Sequence, residues 1–220
     1  MKLTVISGAA RPRAKSNTAL ILEAFCRGCE AGGNQTEVFY LSDRGQWEAA
    51  RAAFDASDNL LIALPLYVEN LPGLLLEFLT TLTPKRKPGA KLAFLVQGGF
   101  PEASQLRCCE AYLETLPARL GCEYGGTLIK GNMFFLRLSS PKEQQEELKL
   151  FETMGRRFAQ LGQFDKDEVT FFAAPEYLPE AAMKMFRGPG KFLQRLVMNR
   201  MSRKMGGKGH LTARPYESGK

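Results

Sequence analysis

Apolar runs and helical segments alternate along this chain. Five short apolar runs are each followed by a longer segment of helical periodicity, and together they fill residues 1–162. The runs are Leu3–Ser7, Thr36–Leu41, Asn59–Leu64, Lys91–Gln97 and Cys122–Ile129. They are nearly all apolar or β-branched, as strands buried on both faces should be. Between them, helices are expected from Asn17 to about Ala31, Gln46 to Ala56, Pro72 to Leu82 and Glu102 to Leu120, with a last one over Pro141–Leu161. Crossovers of that length force parallel pairing, because each must return along a face of the sheet. With right-handed crossovers, the expected architecture is a doubly wound five-stranded parallel sheet of order 2-1-3-4-5, with helices on both faces.

Length and charge set the limits of that reading. A chain of 220 residues, 45% hydrophobic and 24% charged, suits one α/β domain with a short appendage and can bury a core without staples. Its five cysteines form no secreted framework, no signal peptide is expected ahead of the first strand, and no apolar run is long enough to span a bilayer. A cytoplasmic protein is expected. Eight basic and no acidic residues lie between Lys184 and Lys208, and Arg214 and Lys220 face Glu217 beyond them. The first 183 residues therefore carry −2 of the formal +7. The expected division is 1–162 for the sheet domain and 163–220 for a basic extension. In that extension Phe171–Tyr177 reads as a β-like segment and Phe192–Met205 as a basic amphipathic helix.

In such a sheet, ligands bind outside the carboxyl ends of the strands near the switch between the first and third strands. Three loops reach that edge. The first, Ser7–Thr18, leads from a buried strand to a helix N-terminus, which offers unpaired N–H groups and a positive dipole end. Arg11, Arg13 and Lys15 add charge, and Ser16, Asn17 and Thr18 add hydroxyl and amide donors. Ser16 alone would read as an N-cap; with the strand, Gly8 and three bases beside it, the loop reads as an anion site fit for a phosphate. It has neither the Gly-Lys-Ser/Thr of a P-loop nor a G-x-G-x-x-G fingerprint. The second loop, Pro65-Leu66-Tyr67-Val68-Glu69-Asn70, offers an aromatic and apolar wall suited to a flat heteroaromatic ring, or plain rim packing. The third, Gln97-Gly98-Gly99-Phe100, permits close backbone approach, or is simply a strand-ending turn.

These motifs together resemble the NAD(P)H-dependent FMN reductase family of flavodoxin-like proteins. That family opens with a strand, Gly-Ser-x-Arg, a spacer and Ser-x-Thr, matched here by Gly8-Ala9-Ala10-Arg11 and Ser16-Asn17-Thr18. Its Pro-x-Tyr and later Pro-Gly correspond to Pro65-Leu66-Tyr67 and Pro72-Gly73. The run Gly99–Ala103 resembles one bacterial branch, and the likeness spans about residues 1–130. Ala9 departs from the pattern by removing a phosphate hydroxyl, and the loop is about one residue longer and more basic. The resemblance implies FMN as cofactor and NAD(P)H as electron donor. Arg11, Ser16, Asn17 and Thr18 would bind the phosphate, and residues 65–70 and Gly98, Gly99 and Phe100 would cradle the ring. It further implies a homo-oligomer and a quinone, nitro compound, flavin or protein as acceptor. Two alternatives stay open on the same fold: a non-catalytic flavin-binding carrier or redox sensor, and a scaffold without cofactor.

Other features carry less. Cys26 and Cys29 are i, i+3 neighbours inside a helix, and residues 42–75, where some relatives hold an iron–sulfur cluster, contain no cysteine. His210, the only histidine, sits in a glycine-rich tail and offers no catalytic partner. Tyr67 and Glu69 are the nearest candidates for a general acid, and the catalytic residue stays unassigned. The basic tail admits packing on a subunit neighbour or a lid over the site, the preferred readings, or contact with an anionic membrane through 184–208. It carries no recognisable nucleic-acid module, and no nucleic-acid partner is expected.

Overall fold

A computed structural model describes residues 1–67, 70–187, 190–204, 206–209 and 212–214. It comprises two compact units, Met1–Tyr177 and Leu178–Lys220. Strands β1 (Lys2–Ser7), β2 (Gln35–Tyr40), β3 (Asn59–Pro65), β4 (Lys91–Gln97) and β5 (Glu123–Lys130) form one sheet of order β2-β1-β3-β4-β5, parallel throughout. The expected order and connection are those observed.

The inner strands β1, β3 and β4 are buried on both sides, with side chains that alternate between two cores, whereas the edge strand β2 is mostly half-buried. Ile6, Ile62, Leu64, Phe94 and Val96 face one core with helices α2 (Trp47–Ala56), α3 (Gly73–Leu79) and α4 (Ser104–Arg119). Val5, Leu61, Ala63, Leu95 and Leu128 face the other with α1 (Asn17–Ala31) and α5 (Pro141–Leu161). Phe25, Phe158 and Phe164 cluster there with ring centroids 4.8–5.8 Å apart, each pair worth about 0.5–1.5 kcal/mol beyond its buried area. Helix α5 begins at a capping box, in which Ser140 accepts the Glu143 N–H while the Glu143 carboxylate accepts the Ser140 N–H at 2.9 Å.

Helices α1 and α5 meet backbone to backbone at a pair of glycines. A Cβ on Gly28 would lie 1.9 Å from the Glu152 carbonyl oxygen, and one on Gly155 would lie 2.1 Å from that of Phe25. No side chain fits between these helices at the crossing.

Two elements differ from the sequence reading by more than two residues. Helix α3 stops at Leu79 rather than Leu82, because the Thr80 and Thr81 hydroxyls donate to the Glu77 and Phe78 carbonyls at 2.7 Å and close its last turn. The β-like segment expected over Phe171–Tyr177 is instead the end of helix α6 (Lys166–Ala173) and a turn. Asp165 caps α6 by accepting the N–H groups of Asp167 and Glu168, both at 3.0 Å. Val169 and Phe172, three residues apart, pack on the α5 side of the sheet, with Phe172 edge-on to Phe151 at 5.1 Å. The β-forming composition of Val-Thr-Phe-Phe yields here to a cap and a helical apolar stripe. Residues 163–177 are bonded to the first unit: the Phe164 N–H donates to Gly125, the Ala103 N–H to Pro175, and Arg107 pairs with Glu176.

In the second unit, α7 (Glu180–Arg187) and α8 (Gly190–Lys204) pack on one another. Helix α8 corresponds to the expected basic helix, save Met205, which lies outside the described residues.

Candidate functional site

The carboxyl edge of the sheet is laced together by main-chain hydrogen bonds that continue past the strands. The Gly8 N–H donates to Ala63, Leu66 to Gln97 and Gly98 to Lys130, at 2.8–2.9 Å. Three loops thus start in fixed register at the β1/β3 switch and its neighbour, where an open α/β sheet offers a crevice.

The first loop runs through a 3-10 turn, Arg13–Lys15, into α1. Ser16 is buried and is the N-cap of α1, its hydroxyl accepting the Ala19 N–H at 3.3 Å. The main-chain N–H groups of Asn17 and Thr18 belong to the first turn, which has no intrahelical acceptor. No acidic residue lies in that turn. Thr18 is buried, and its hydroxyl accepts from Gln97 Nε2 at 3.4 Å, joining α1 to the end of β4. The Asn17 amide donates to the Met133 carbonyl at 2.7 Å. Arg11 and Lys15 are exposed. Arg13 is turned to another use: its guanidinium pairs with Glu23 at 3.0 Å and lies 5.1 Å from the Tyr40 ring centroid. The Glu23 carboxylate raises the Arg13 pKa and neutralises its charge locally. The cationic side chains left to the loop are those of Arg11 and Lys15.

In the second loop, Pro65 ends β3 and is buried, and Leu66 is half-buried. Tyr67 and Asn70 exchange main-chain hydrogen bonds at 3.1 and 3.3 Å, and both are exposed. The Asn70 side chain turns back to accept the Leu71 N–H at 2.7 Å. Val68 and Glu69 lie outside the described residues, as does His210.

In the third loop, Gly98 is buried against the Leu106 side chain of α4. A Cβ there would meet Leu106 of α4 at 2.8 Å. Gly99 and Phe100 are exposed, the phenyl ring at 70%.

A fourth segment, 131–139, belongs to this edge and has no counterpart in the sequence reading. Asn132 takes the left-handed conformation (φ 63°), a turn that asparagine tolerates. Its N–H donates to Phe100 and that of Met133 to Gly98. Phe134 and Phe135 stack edge to face at 5.3 Å, both exposed. Arg137 donates to the Ser16 carbonyl at 2.9 Å. The available signal was Gly131-Asn132 followed by two phenylalanines directly after a buried strand. The edge as a whole joins an N–H-rich helix start, three exposed cations outside any ion pair, Arg11, Lys15 and Arg137, and four exposed aromatics: Tyr67, Phe100, Phe134 and Phe135.

The cysteines lie elsewhere. Cys26 and Cys29 are buried on α1, and burial pushes the Cys26 thiol up to about 11 and that of Cys29 higher still. Such thiols are inert. Among the described residues no three His, Cys, Asp or Glu side chains are grouped to hold a metal ion, and no helix is long and apolar enough to cross a membrane.

No family model matches the sequence, and no curated protein matches it. Solved structures match it in three dimensions. An FMN-dependent NADH-azoreductase from Bacillus anthracis, in complex with FMN, is 14% identical with a TM-score of 0.54, over 72% of this chain and 99% of that one. An NADH:FMN oxidoreductase in its apo form is 19% identical with a TM-score of 0.54, over 76% and 92%. An NAD(P)H:quinone oxidoreductase from Methanothermobacter marburgensis is 17% identical with a TM-score of 0.53, over 73% and 98%. At these identities the likeness is one of fold, the flavodoxin-like sheet, and about a quarter of this chain lies beyond it.

Proposed function

We propose that this chain is an NAD(P)H-dependent FMN reductase, an oxidoreductase that holds FMN at the carboxyl edge of its sheet. The observation that carries this reading is the start of α1: first-turn N–H donors free of acidic neighbours, set at the β1/β3 switch, with Arg11 and Lys15 exposed on the approach. That donor set fits a phosphate dianion. The Ser16 and Thr18 hydroxyls each accept an internal hydrogen bond and keep a proton to donate. With the Asn17 amide committed to Met133, its share falls to its main-chain N–H. Residues 65–70 and 98–100 would border the ring, and Phe134 and Phe135 extend the same wall.

FMN, when bound, supplies the hydride chemistry, taking it from a nicotinamide and passing it to an acceptor. The chain's own part is to bind, orient and exclude water. The exposed aromatics at the edge suit flat acceptors: quinones, azo and nitro compounds or a second flavin. They also suit completion of the site by a second copy, so a homodimer belongs to this reading, as does a cytoplasmic location. The fold shared with FMN-dependent azoreductases and quinone oxidoreductases supports the assignment.

The test is a titration of the purified chain with FMN, followed by NADH or NADPH under anaerobic conditions. Bound flavin that bleaches on nicotinamide addition and turns over with a quinone is the expected result. Arg11→Ala and Lys15→Ala alter exposed side chains only. Each removes one charge-assisted contact worth about 1.5–3 kcal/mol, roughly ten- to a hundredfold in FMN affinity. Flavin bound without turnover selects the carrier or sensor. A chain that binds no flavin selects the scaffold, a reading that Ala9 and the commitment of Asn17 favour.

A further inference from the structure

Helix α8 presents an outward stripe that is apolar at one end and cationic around it. Phe192 and Leu196 stand one turn apart and are 79% and 60% exposed. At 3.6 residues per turn, Phe192, Leu196 and Arg203 share an arc of roughly 40°, with Arg195 and Arg200 on either flank. All three arginines are exposed and have no acidic partner among the described residues, whereas Lys184 of α7 has Glu180 at 3.6 Å. Met201, on the far side of the helix, is buried. The segment from Lys184 to Lys208 contains no acidic residue.

We propose that α8 docks this chain on an anionic lipid surface. Phe192 and Leu196 enter the boundary between headgroups and acyl chains, and Arg195, Arg200 and Arg203 meet lipid phosphates. An aromatic and an aliphatic anchor ringed by arginines match a surface that offers anionic groups above an apolar layer. A second copy placed stripe to stripe would bring like charges face to face, which opposes association. A nucleic acid offers phosphates, but its duplex surface has no apolar layer to take up Phe192 and Leu196. The helix carries too many charges to span, so contact is with the surface alone.

The experiment is flotation of the full chain with vesicles of phosphatidylcholine alone and of equal parts phosphatidylcholine and phosphatidylglycerol. Binding is expected to the mixed vesicles, to fall with added salt, and to be absent with phosphatidylcholine alone. Replacing Arg195, Arg200 and Arg203 with glutamine should weaken partitioning by roughly fivefold for each charge, about a hundredfold together. Phe192→Ser with Leu196→Ser should weaken it at least about tenfold with every charge intact. Both variants change exposed side chains, and unchanged melting curves separate docking from folding. No flotation with the mixed vesicles at low salt overturns the proposal, as does full binding by the Phe192 and Leu196 variant. Tighter binding to a DNA duplex than to mixed vesicles, or a dimer abolished by these substitutions, would assign the stripe to the competing occupant and overturn it equally.

Discussion

The close crossing of α1 and α5 gives a sharp test of what positions the first loop. In Gly28→Ala the new methyl would sit 1.9 Å from the Glu152 carbonyl oxygen, where ordinary contact begins at 3.4 Å, so about 1.5 Å must open. The obstacle is helix backbone, which cannot swing aside as a flexible side chain can. The helices must separate where Phe25, Phe151 and Phe158 are packed, and overpacking of this kind costs about 3 kcal/mol or more. For a unit of this size each kcal/mol lowers Tm by about 2–4 °C, so a loss of roughly 6–12 °C is expected. Gly73→Ala is the matched control: a Cβ there meets nothing within 4 Å, and its melting temperature should hold or rise slightly. Gly155→Ala probes the other half of the crossing, 2.1 Å from the Phe25 carbonyl oxygen. Because one separation relieves both clashes, the double variant should cost less than the two singles added together. Thermal melts followed by circular dichroism decide the matter. If Gly28→Ala melts within about 2 °C of the parent, the backbone contact is wrong and so is the rigid seat it gives α1.

Further outcomes follow from the ionisable groups. The Arg107 guanidinium holds the Glu176 carboxyl below the ordinary carboxylate range. A depressed folded-state pKa stabilises above the unfolded value and ceases to do so as pH falls through the folded one. The Tm gap between the parent and Glu176→Gln should therefore be present at neutral pH and close in acid. A gap that persists unchanged in acid would exclude the ion pair as its cause. Of the five cysteines only Cys108 is exposed, so a thiol reagent should titrate one group per native chain and five after denaturation. A second fast-reacting thiol would contradict the burial of Cys26, Cys29, Cys109 and Cys122.

The sheet was legible because parallel strands covered on both faces leave continuous apolar runs, and because Gly, Pro and capping residues mark most helix ends. Asn17–Ala31, Lys91–Gln97 and Pro141–Leu161 have the bounds the sequence suggests. Helix α6 was not legible from composition, since Val169, Thr170, Phe171 and Phe172 favour strands; the cap at Asp165 outweighs them. At the candidate site, the helix start and the Ser16 cap were written locally. The uses of Asn17, Thr18 and Arg13 were not, because their partners Met133, Gln97 and Glu23 are brought close only by the fold. The same reason hid the segment 131–139, whose place depends on which strand β5 joins.

The bonds that finish the first loop span most of the sheet domain. Asn17 reaches Met133 across 116 positions, Arg137 reaches Ser16 across 121, and Gln97 reaches Thr18 across 79. Contacts so distant in sequence form late and slow folding. On the ribosome, this loop waits for nearly the last parts of the sheet before its shape is set. A nascent chain halted ahead of Gln97 would carry the whole Ser7–Thr18 loop with none of these three ties, so any affinity that depends on them is acquired by the domain as a unit and cannot be inherited by its N-terminal piece.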